Sequence, residues 1–431
     1  MSEQVKLPTR KYAWFVLVMM VLLYLVNYAD RFVAVGLLEE IKKTFEISDT
    51  YMGFLIGPAF AIIYTLFAIP IARLADRHNR VRIIAIGAIV WSAFTVMSGL
   101  AKTPEVFALA RIGVGVGEAA FLAPAFSILS DYFPPKKRAL AFAVLNFGVY
   151  FGQIVGLKGG ASIAVQYDWH TAFILLGVPG ILLALVTWVF VKEPERGRLD
   201  PQSTATLDNR VTPFGETLKI LWQKRSYRLM TLGTALGGFA SYAFGYWAIA
   251  FFARLFDLTT DEANTRYGFT AFLAGLSGAI IIGFICDRLA SRDTCWPYRL
   301  SAIGLMGFCI SMLIMCFTTN VNFATFLVLP AGLLAGGWVI ALQSALQDLL
   351  PADQRATGTS IWAFALTFTG LVVGVWSVGA LNDYFAAEFG AKAIRYSMAL
   401  ALTTAIPAAI LIFTAGRTVD ADRQALIKEF S

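Results

Sequence analysis

Five ionisable side chains, Asp30, Arg31, Arg111, Glu118 and Lys158, lie inside long apolar runs of the sequence. A charge at the centre of a hydrocarbon layer costs at least about 2.5–3.5 kcal/mol, so its presence there needs a cause. Two acids and three bases suit the binding of a polar or anionic headgroup and the movement of a proton. A carboxyl removed from water holds its proton more tightly, and a nearby arginine loosens it. Asp30 or Glu118 can therefore change protonation as Arg31 or Arg111 approaches or departs. A fixed ion pair that only sets helix packing is the simpler alternative.

Helix geometry fixes the depth of these groups. The first apolar run centres near Leu25, which puts Asp30 about 7 Å beyond the midplane. The fourth run passes in the opposite sense, so Glu118 falls near the midplane and Arg111 about 10 Å toward the side on which Asp30 lies. Arg111 and Glu118 stand nearly two turns apart and share one face. Asp30 with Arg111, and Arg31 with Glu118, are feasible pairs if the two helices line one cavity. Lys158 either faces that cavity or snorkels to the headgroups.

The elements that carry these residues must be membrane helices. Of 431 residues 58% are hydrophobic and 15% charged, with a mean hydropathy of +0.67, against roughly 45–50% and 25% for a soluble domain. A core cannot absorb that surplus, so lipid must. Runs of the ~20 residues needed to cross a bilayer lie near 13–38, 51–72, 82–100, 105–130, 139–163, 171–191, 228–253, 266–287, 299–318, 323–349, 356–381 and 394–415. The expected fold is all-α, with twelve transmembrane helices. The first run lacks a small-residue cleavage site and reads as a span, not a removable leader. With the N-terminus cytoplasmic, roughly 25 of the 35 Lys and Arg fall on the cytoplasmic side, as the positive-inside rule requires, and the C-terminus is cytoplasmic too.

A polar interruption with Pro194, Pro201 and Pro213 divides the chain. The expected parts are an N-terminal six-helix bundle at 1–191, a cytoplasmic linker at 192–227, and a C-terminal bundle with a short tail at 228–431. In the linker, Phe214, Leu218, Leu221 and Trp222 at helical spacing read as an interfacial helix. The halves repeat each other where loops are tight. Ala72-x-x-x-Asp76-Arg77 after span 2 is matched by Gly283-x-x-x-Asp287-Arg288 after span 8, and the loop ending in Arg138 after span 4 by the loop ending in Arg355 after span 10. Such order implies a duplicated six-helix unit.

Composition also excludes. The net charge of +7 is scattered through short loops rather than gathered on a nucleic-acid face. Cys286, Cys295, Cys309 and Cys316 have neither metal-ligand spacing nor a disulfide pattern, and read as small apolar packing residues. No G-x-x-x-x-G-K-[ST] loop is present, which argues against an ATP-driven pump. His78 and His170 lie in distant loops, so no metal site, cofactor or enzymatic centre is expected. Gly113, Gly115 and Gly117 in span 4, and Gly148, Gly152 and Gly156 in span 5, are small-residue stripes of the kind that lets helices pack closely.

At Asp76-Arg77-x-Asn79-Arg80 the chain resembles the major facilitator superfamily, whose span 2–3 loop carries a G-x-x-x-D-R-x-G-R-type motif. Ala72 and Asn79 stand in for the two glycines. Asn27-Tyr-Ala-Asp-Arg-Phe32, Asp76-Arg-His-Asn-Arg80, Arg111-Ile-Gly-Val-Gly-Val-Gly-Glu-Ala119 and the Asp131–Arg138 loop together resemble the Spinster family of lysophospholipid and sphingosine-1-phosphate transporters, proton-linked or gradient-driven. Some of these elements occur in organic anion:cation symporters as well. The resemblance implies that Asp76, with Arg77, Arg80 and Arg138, latches the cytoplasmic ends of helices, and that Asp287, Arg288 and Arg355 form a weaker twin.

The second half keeps no comparable buried charge. Span 7 offers Phe239, Tyr242, Phe244, Tyr246 and Trp247, and spans 10 and 11 offer Trp338, Gln343, Trp362, Phe364 and Phe368. A wall of charge facing a wall of rings suits an amphipathic solute. The expected function is secondary active transport of a lysophospholipid or sphingoid phosphate by alternating access. Protons are coupled through Asp30, Arg31, Arg111 and Glu118, and substrate is bound by Arg31, Arg111, Glu118, Lys158, Tyr242, Tyr246, Trp338 and Trp362. The expected partners are the lipid-like solute, protons and membrane lipids, with the monomer as working unit. The alternatives are an organic-anion symporter for a small carboxylate and, against the depth of the charges, an integral-membrane lipid-modifying enzyme.

Overall fold

A computed structural model describes residues 10–197, 199, 214–290, 292–350 and 355–430. Residues 200–213 of the expected linker lie outside the described residues, as do the side chains of Arg355 and of 423–430. Among the described residues the chain is helical and holds no strand.

Among the described residues, eleven continuous stretches are long and apolar enough to cross a membrane. Span 1 is Lys11–Gly36, span 2 Asp49–Arg77, span 3 Arg80–Gly99, span 4 Pro104–Tyr132, span 5 Leu140–Gln166, and span 6 Trp169–Phe190. Span 7 is Arg225–Phe256, span 8 Thr260–Ala290, span 9 Trp296–Phe317 and span 10 Val321–Leu346. The last stretch, Thr357–Asp422, has 66 residues, about three bilayer thicknesses at 1.5 Å per residue. It folds back at Gly390, where φ is +54°. Its two arms are span 11, ending at Phe389, and span 12, starting at Ala393. Twelve crossings result.

Caps set the helix starts. Ser48, Asn79, Thr103, Asp168, Thr259 and Asn320 each accept a backbone N–H of the helix that follows, which satisfies donors a helix start leaves orphaned. Spans 5, 8 and 11 contain π-helical segments at Val155–Gly159, Asn264–Phe269 and Phe368–Gly374. Span 4 breaks after Glu118 and resumes at Leu122. Pro124, which has no N–H to donate, sits in that resumption.

The contact network divides the chain into two compact units: Met1–Ile47 with Ala59–Asp208, and Ser48–Pro58 with Asn209–Ser431. The division falls inside span 2, next to the break at Gly57. In the first unit the glycine stripe of span 5 seats on span 1. A Cβ at Gly148, Gly152 or Gly156 would meet the carbonyl oxygens of Val21, Leu25 and Ala29 at 2.8, 2.3 and 2.5 Å. Gly115 and Gly117 bring span 4 equally close to Phe60 and Trp91. Glycine is required because backbone lies against backbone.

In the second unit the segment Asp49–Ile56 packs on span 11. Asp383 accepts the backbone N–H groups of Asp49 and Thr50 at 3.0 and 2.7 Å, and the Asp49 carboxylate pairs with both terminal nitrogens of Arg254. All four cysteines are buried and free.

Replacing Gly152 by Val forces a methyl into the Leu25 carbonyl, and overpacking of this kind costs typically ~1–3 kcal/mol. The detergent-solubilised Gly152→Val protein is expected to unfold several degrees below wild type. Gly283→Ala, whose Cβ meets no described atom within 4 Å, is expected to leave the midpoint unchanged.

Candidate functional site

The charged residues of spans 1 and 4 converge inside the first unit. The Nη2 of Arg31 donates to Oε2 of Glu118 at 2.5 Å, with side-chain exposures of 14% and 0%. Glu118 occupies the last turn before the break in span 4, where the helix ends and the carboxylate is free to reach span 1. Its second oxygen, Oε1, is buried and has no hydrogen-bond partner among the described residues.

Three rings enclose the Arg31 guanidinium. Its Cζ lies 4.8 Å from the ring centroid of Tyr28, 4.5 Å from Phe60 and 5.4 Å from Tyr64. Tyr28 stands one turn before Arg31, while Phe60 and Tyr64 are one turn apart on span 2 and stack at 5.5 Å. Span 2 can approach this closely because Gly115 of span 4 leaves room beside Phe60 and Tyr64.

Arg111 is buried and meets Asp30, but through the main chain: its Nη1 donates to the Asp30 carbonyl oxygen at 3.2 Å. The Asp30 carboxylate itself is fully buried, and neither oxygen has a hydrogen-bond partner among the described residues. Of the two feasible pairs, the structure forms the Arg31–Glu118 pair side chain to side chain and the Asp30–Arg111 contact only through a backbone oxygen. Lys158 sits on the π-helical segment of span 5 at intermediate exposure.

At the opposite end of the first unit, Arg80 is 2% exposed and every guanidinium nitrogen is engaged. It donates to Glu193 at 2.7 Å, Asp131 at 2.6 Å, Ser127 at 2.7 Å and the Pro194 carbonyl at 3.0 Å. Arg196 donates to the carbonyls of Ala75 and His78 at 2.6 and 2.7 Å and to that of Asp76, capping the end of span 2. Arg138 donates to the carbonyls of Ser130 and Phe133. The side chains of Asp76, Arg77, Asp287 and Arg288 are exposed. Glu193 and Arg196 escaped sequence reasoning, since nothing in the spacing ties the start of the linker to the span 2–3 loop.

In the second unit, Tyr242 is half-buried, and Tyr246, Trp338 and Trp362 are buried inside the bundle. The indole N–H of Trp362 donates to Thr234, and Trp338 packs on Gly237. A cavity of about 210 Å³ lies among spans 7 to 10, lined by Ser241, Tyr267, Gly275, Phe308, Met312 and Ala335 among others. The Ser241 hydroxyl is buried without a hydrogen-bond partner among the described residues.

Known proteins resemble the chain in sequence and in fold. A sequence model described as Major Facilitator Superfamily matches residues 20–375. An MFS-type efflux pump of Mycolicibacterium smegmatis is 29% identical over 389 residues, covering 90% of this chain and 89% of the pump. A sphingosine-1-phosphate transporter of Danio rerio is 26% identical over 393 residues, covering 87% of this chain and 77% of the relative. Among solved structures, a bacterial homologue of the human lysosomal transporter Spinster, in an inward-facing and unoccupied conformation, superposes with a TM-score of 0.86 at 27% identity. It covers 96% of this chain and 99% of its own.

Breaking a buried ion pair from one side strands the other charge, at about 3–5 kcal/mol, whereas removing both is far milder. Arg31→Met is therefore expected to lower the thermal unfolding midpoint more than the double change Arg31→Met with Glu118→Leu. A double variant no more stable than the single one would show that the pair is not what Arg31 contributes.

Proposed function

The chain belongs to the Major Facilitator Superfamily and is a multi-pass integral membrane transporter; from that premise we propose that it carries an amphipathic, lysolipid-like solute by alternating access, coupled to protons. The observation that carries the reading is the Asp30 carboxylate, fully buried and with no hydrogen-bond partner among the described residues, one residue from the Arg31–Glu118 pair.

An ionised carboxylate deprived of both water and partner is unfavourable by several kcal/mol, and a proton is the smallest ligand that removes the charge. A proton on Glu118 would also break its ion pair with Arg31, whose guanidinium could then meet an anionic headgroup. Departure of the proton restores the ion pair and expels the headgroup. Asp30, Arg31, Arg111 and Glu118 thus act as one unit in which protonation and headgroup binding are linked.

The solute class is argued from the division of chemistry. The first unit holds charge, and the second holds an apolar cavity and Tyr242, Tyr246 and their neighbours. A polar head joined to an apolar tail, as in a lysophospholipid or sphingoid phosphate, suits that division. The relative named as a sphingosine-1-phosphate transporter supports it. We place both termini on the cytoplasmic face from the distribution of Lys and Arg. There Asp76, Arg77, Arg80 and Arg138, with Asp287, Arg288 and Arg355, serve as the cytoplasmic gate. The monomer is the working unit.

Uptake into liposomes tests the reading. Wild type is expected to take up a lysophospholipid or sphingoid phosphate faster when a pH gradient is imposed. Asp30→Asn and Glu118→Gln, made separately, are each expected to lose that acceleration. Gradient dependence unchanged in both folded variants would remove these residues from coupling. Uptake of small dicarboxylates with indifference to lysolipids would make the protein an organic-anion symporter instead.

A further inference from the structure

Arg31 occupies a box built for a cation. Three aromatic faces lie within 5.4 Å of its Cζ and a carboxylate closes the fourth side. Rings and a carboxylate around a positive centre are the recognition elements for quaternary and other organic ammonium groups. The present occupant is tethered to span 1 by its own side chain, and that side chain keeps 14% exposure, so the box is open on one side.

We propose that the box of Tyr28, Phe60, Tyr64 and Glu118 binds the ammonium group of a zwitterionic headgroup, which displaces the Arg31 guanidinium onto the phosphate of the same ligand. The inference rests on the proposed amphipathic, lipid-like solute and deepens it by naming the headgroup. Charge bookkeeping favours a zwitterion. Before exchange the site holds one Arg⁺–Glu⁻ pair. Afterwards it holds Glu118 with the ligand ammonium and Arg31 with the ligand phosphate. Neither Arg31 nor Glu118 is left without a partner at either stage, so the exchange itself needs no proton on Glu118, and the proton of the transport cycle is left to Asp30. An anionic headgroup with no ammonium takes Arg31 but strips Glu118, whose side chain is fully buried, of its partner, and an unpaired buried charge is strongly unfavourable. Such a ligand must bring a proton with it.

The titratable and charged groups around Glu118 are Asp30, Arg31, Tyr24 and Tyr28 of span 1, Tyr64 of span 2 and Arg111 of its own span. Span 3 presents Thr95 and Trp91 and no charge. Among these, Glu118 is the carboxylate that pairs with the caged guanidinium.

The test compares two lysolipids of one acyl length, lysophosphatidylcholine and lysophosphatidate, binding to the purified full-length protein below their micelle concentrations. Wild type is expected to bind the choline lipid with an affinity that varies little between pH 5.5 and 8, and lysophosphatidate more tightly as the pH falls. Phe60→Leu combined with Tyr64→Leu is expected to weaken the choline lipid about tenfold, the scale of two lost cation–π contacts. The same variant should change lysophosphatidate by less than about twofold, which also reports that the protein is folded. Phe60→Tyr, which keeps a ring, is expected to retain choline-lipid affinity. Equal loss of both lipids in the double variant, or the same pH dependence for both in wild type, overturns this assignment alone. Failure of wild type to bind either lipid overturns the amphipathic-solute reading beneath it.

Discussion

A charge in hydrocarbon must bring its own solvation, and the first unit is organised around that requirement. Arg31 carries a carboxylate and three ring faces in place of water. Each of those partners needs a helix at a fixed distance. Glu118 reaches because span 4 breaks just after it, and the rings of span 2 reach because Gly115 has no side chain. Span 1 is held in turn by the glycines of span 5, which let its backbone lie against theirs. The glycine stripes and the ion pair are therefore one construction. Close packing sets the helix axes, and the axes place the charges within reach.

Against that construction Asp30 stands out. Its carbonyl is engaged by Arg111 while its carboxylate, fully buried, is not. Arg80 provides the contrast at the other end of the same unit, where two carboxylates, a hydroxyl and a carbonyl meet every guanidinium nitrogen. A network so completely satisfied favours a single geometry, whereas a group left without a partner invites a ligand or a proton. The two ends of one bundle thus differ in how completely their buried charges are satisfied among the described residues.

The amount legible in the sequence follows from what one-dimensional patterns encode. Apolar run length marked the spans, and helical rise marked the positions of Asp30, Arg111 and Glu118 along their own helices, because both are properties of a single helix. The Arg31–Glu118 contact was reachable from depth alone. The ring cage was not, since Phe60 and Tyr64 belong to another span and look like ordinary membrane aromatics. For the same reason the packing of Trp338 on Gly237 and the Trp362–Thr234 hydrogen bond leave no trace in the sequence. Glu193 and Arg196 sit in a linker whose fold against the span 2–3 loop leaves no periodic trace. Assignment of Asp49–Ile56 to the second unit is likewise a matter of which helices touch, here through Asp383 and Arg254.

The internal repeat connects the charged site to the apolar cavity. Asp76-Arg77 and Asp287-Arg288 set a register between the halves. Carried into span 7, that register puts Ser241 in the place of Asp30 and Tyr242 in the place of Arg31. Carried into span 8, it puts Ala271 in the place of Phe60 and Gly275 in the place of Tyr64. The register of Arg138 and Arg355 puts Ala335 in the place of Glu118. Ser241, Ala271, Gly275 and Ala335 all line the cavity of the second unit. By this sequence register, Ser241 and Ala335 of the cavity lining correspond to the two carboxylates, and Ala271 and Gly275 to the two rings. Truncating large side chains at matched positions leaves space that the surrounding helices do not fill, because their axes are still fixed by small-residue contacts such as Gly278 on Leu333 and Gly336 on Gly275. In the first unit the volume is occupied by a caged ion pair, and in the second it is an apolar-lined cavity.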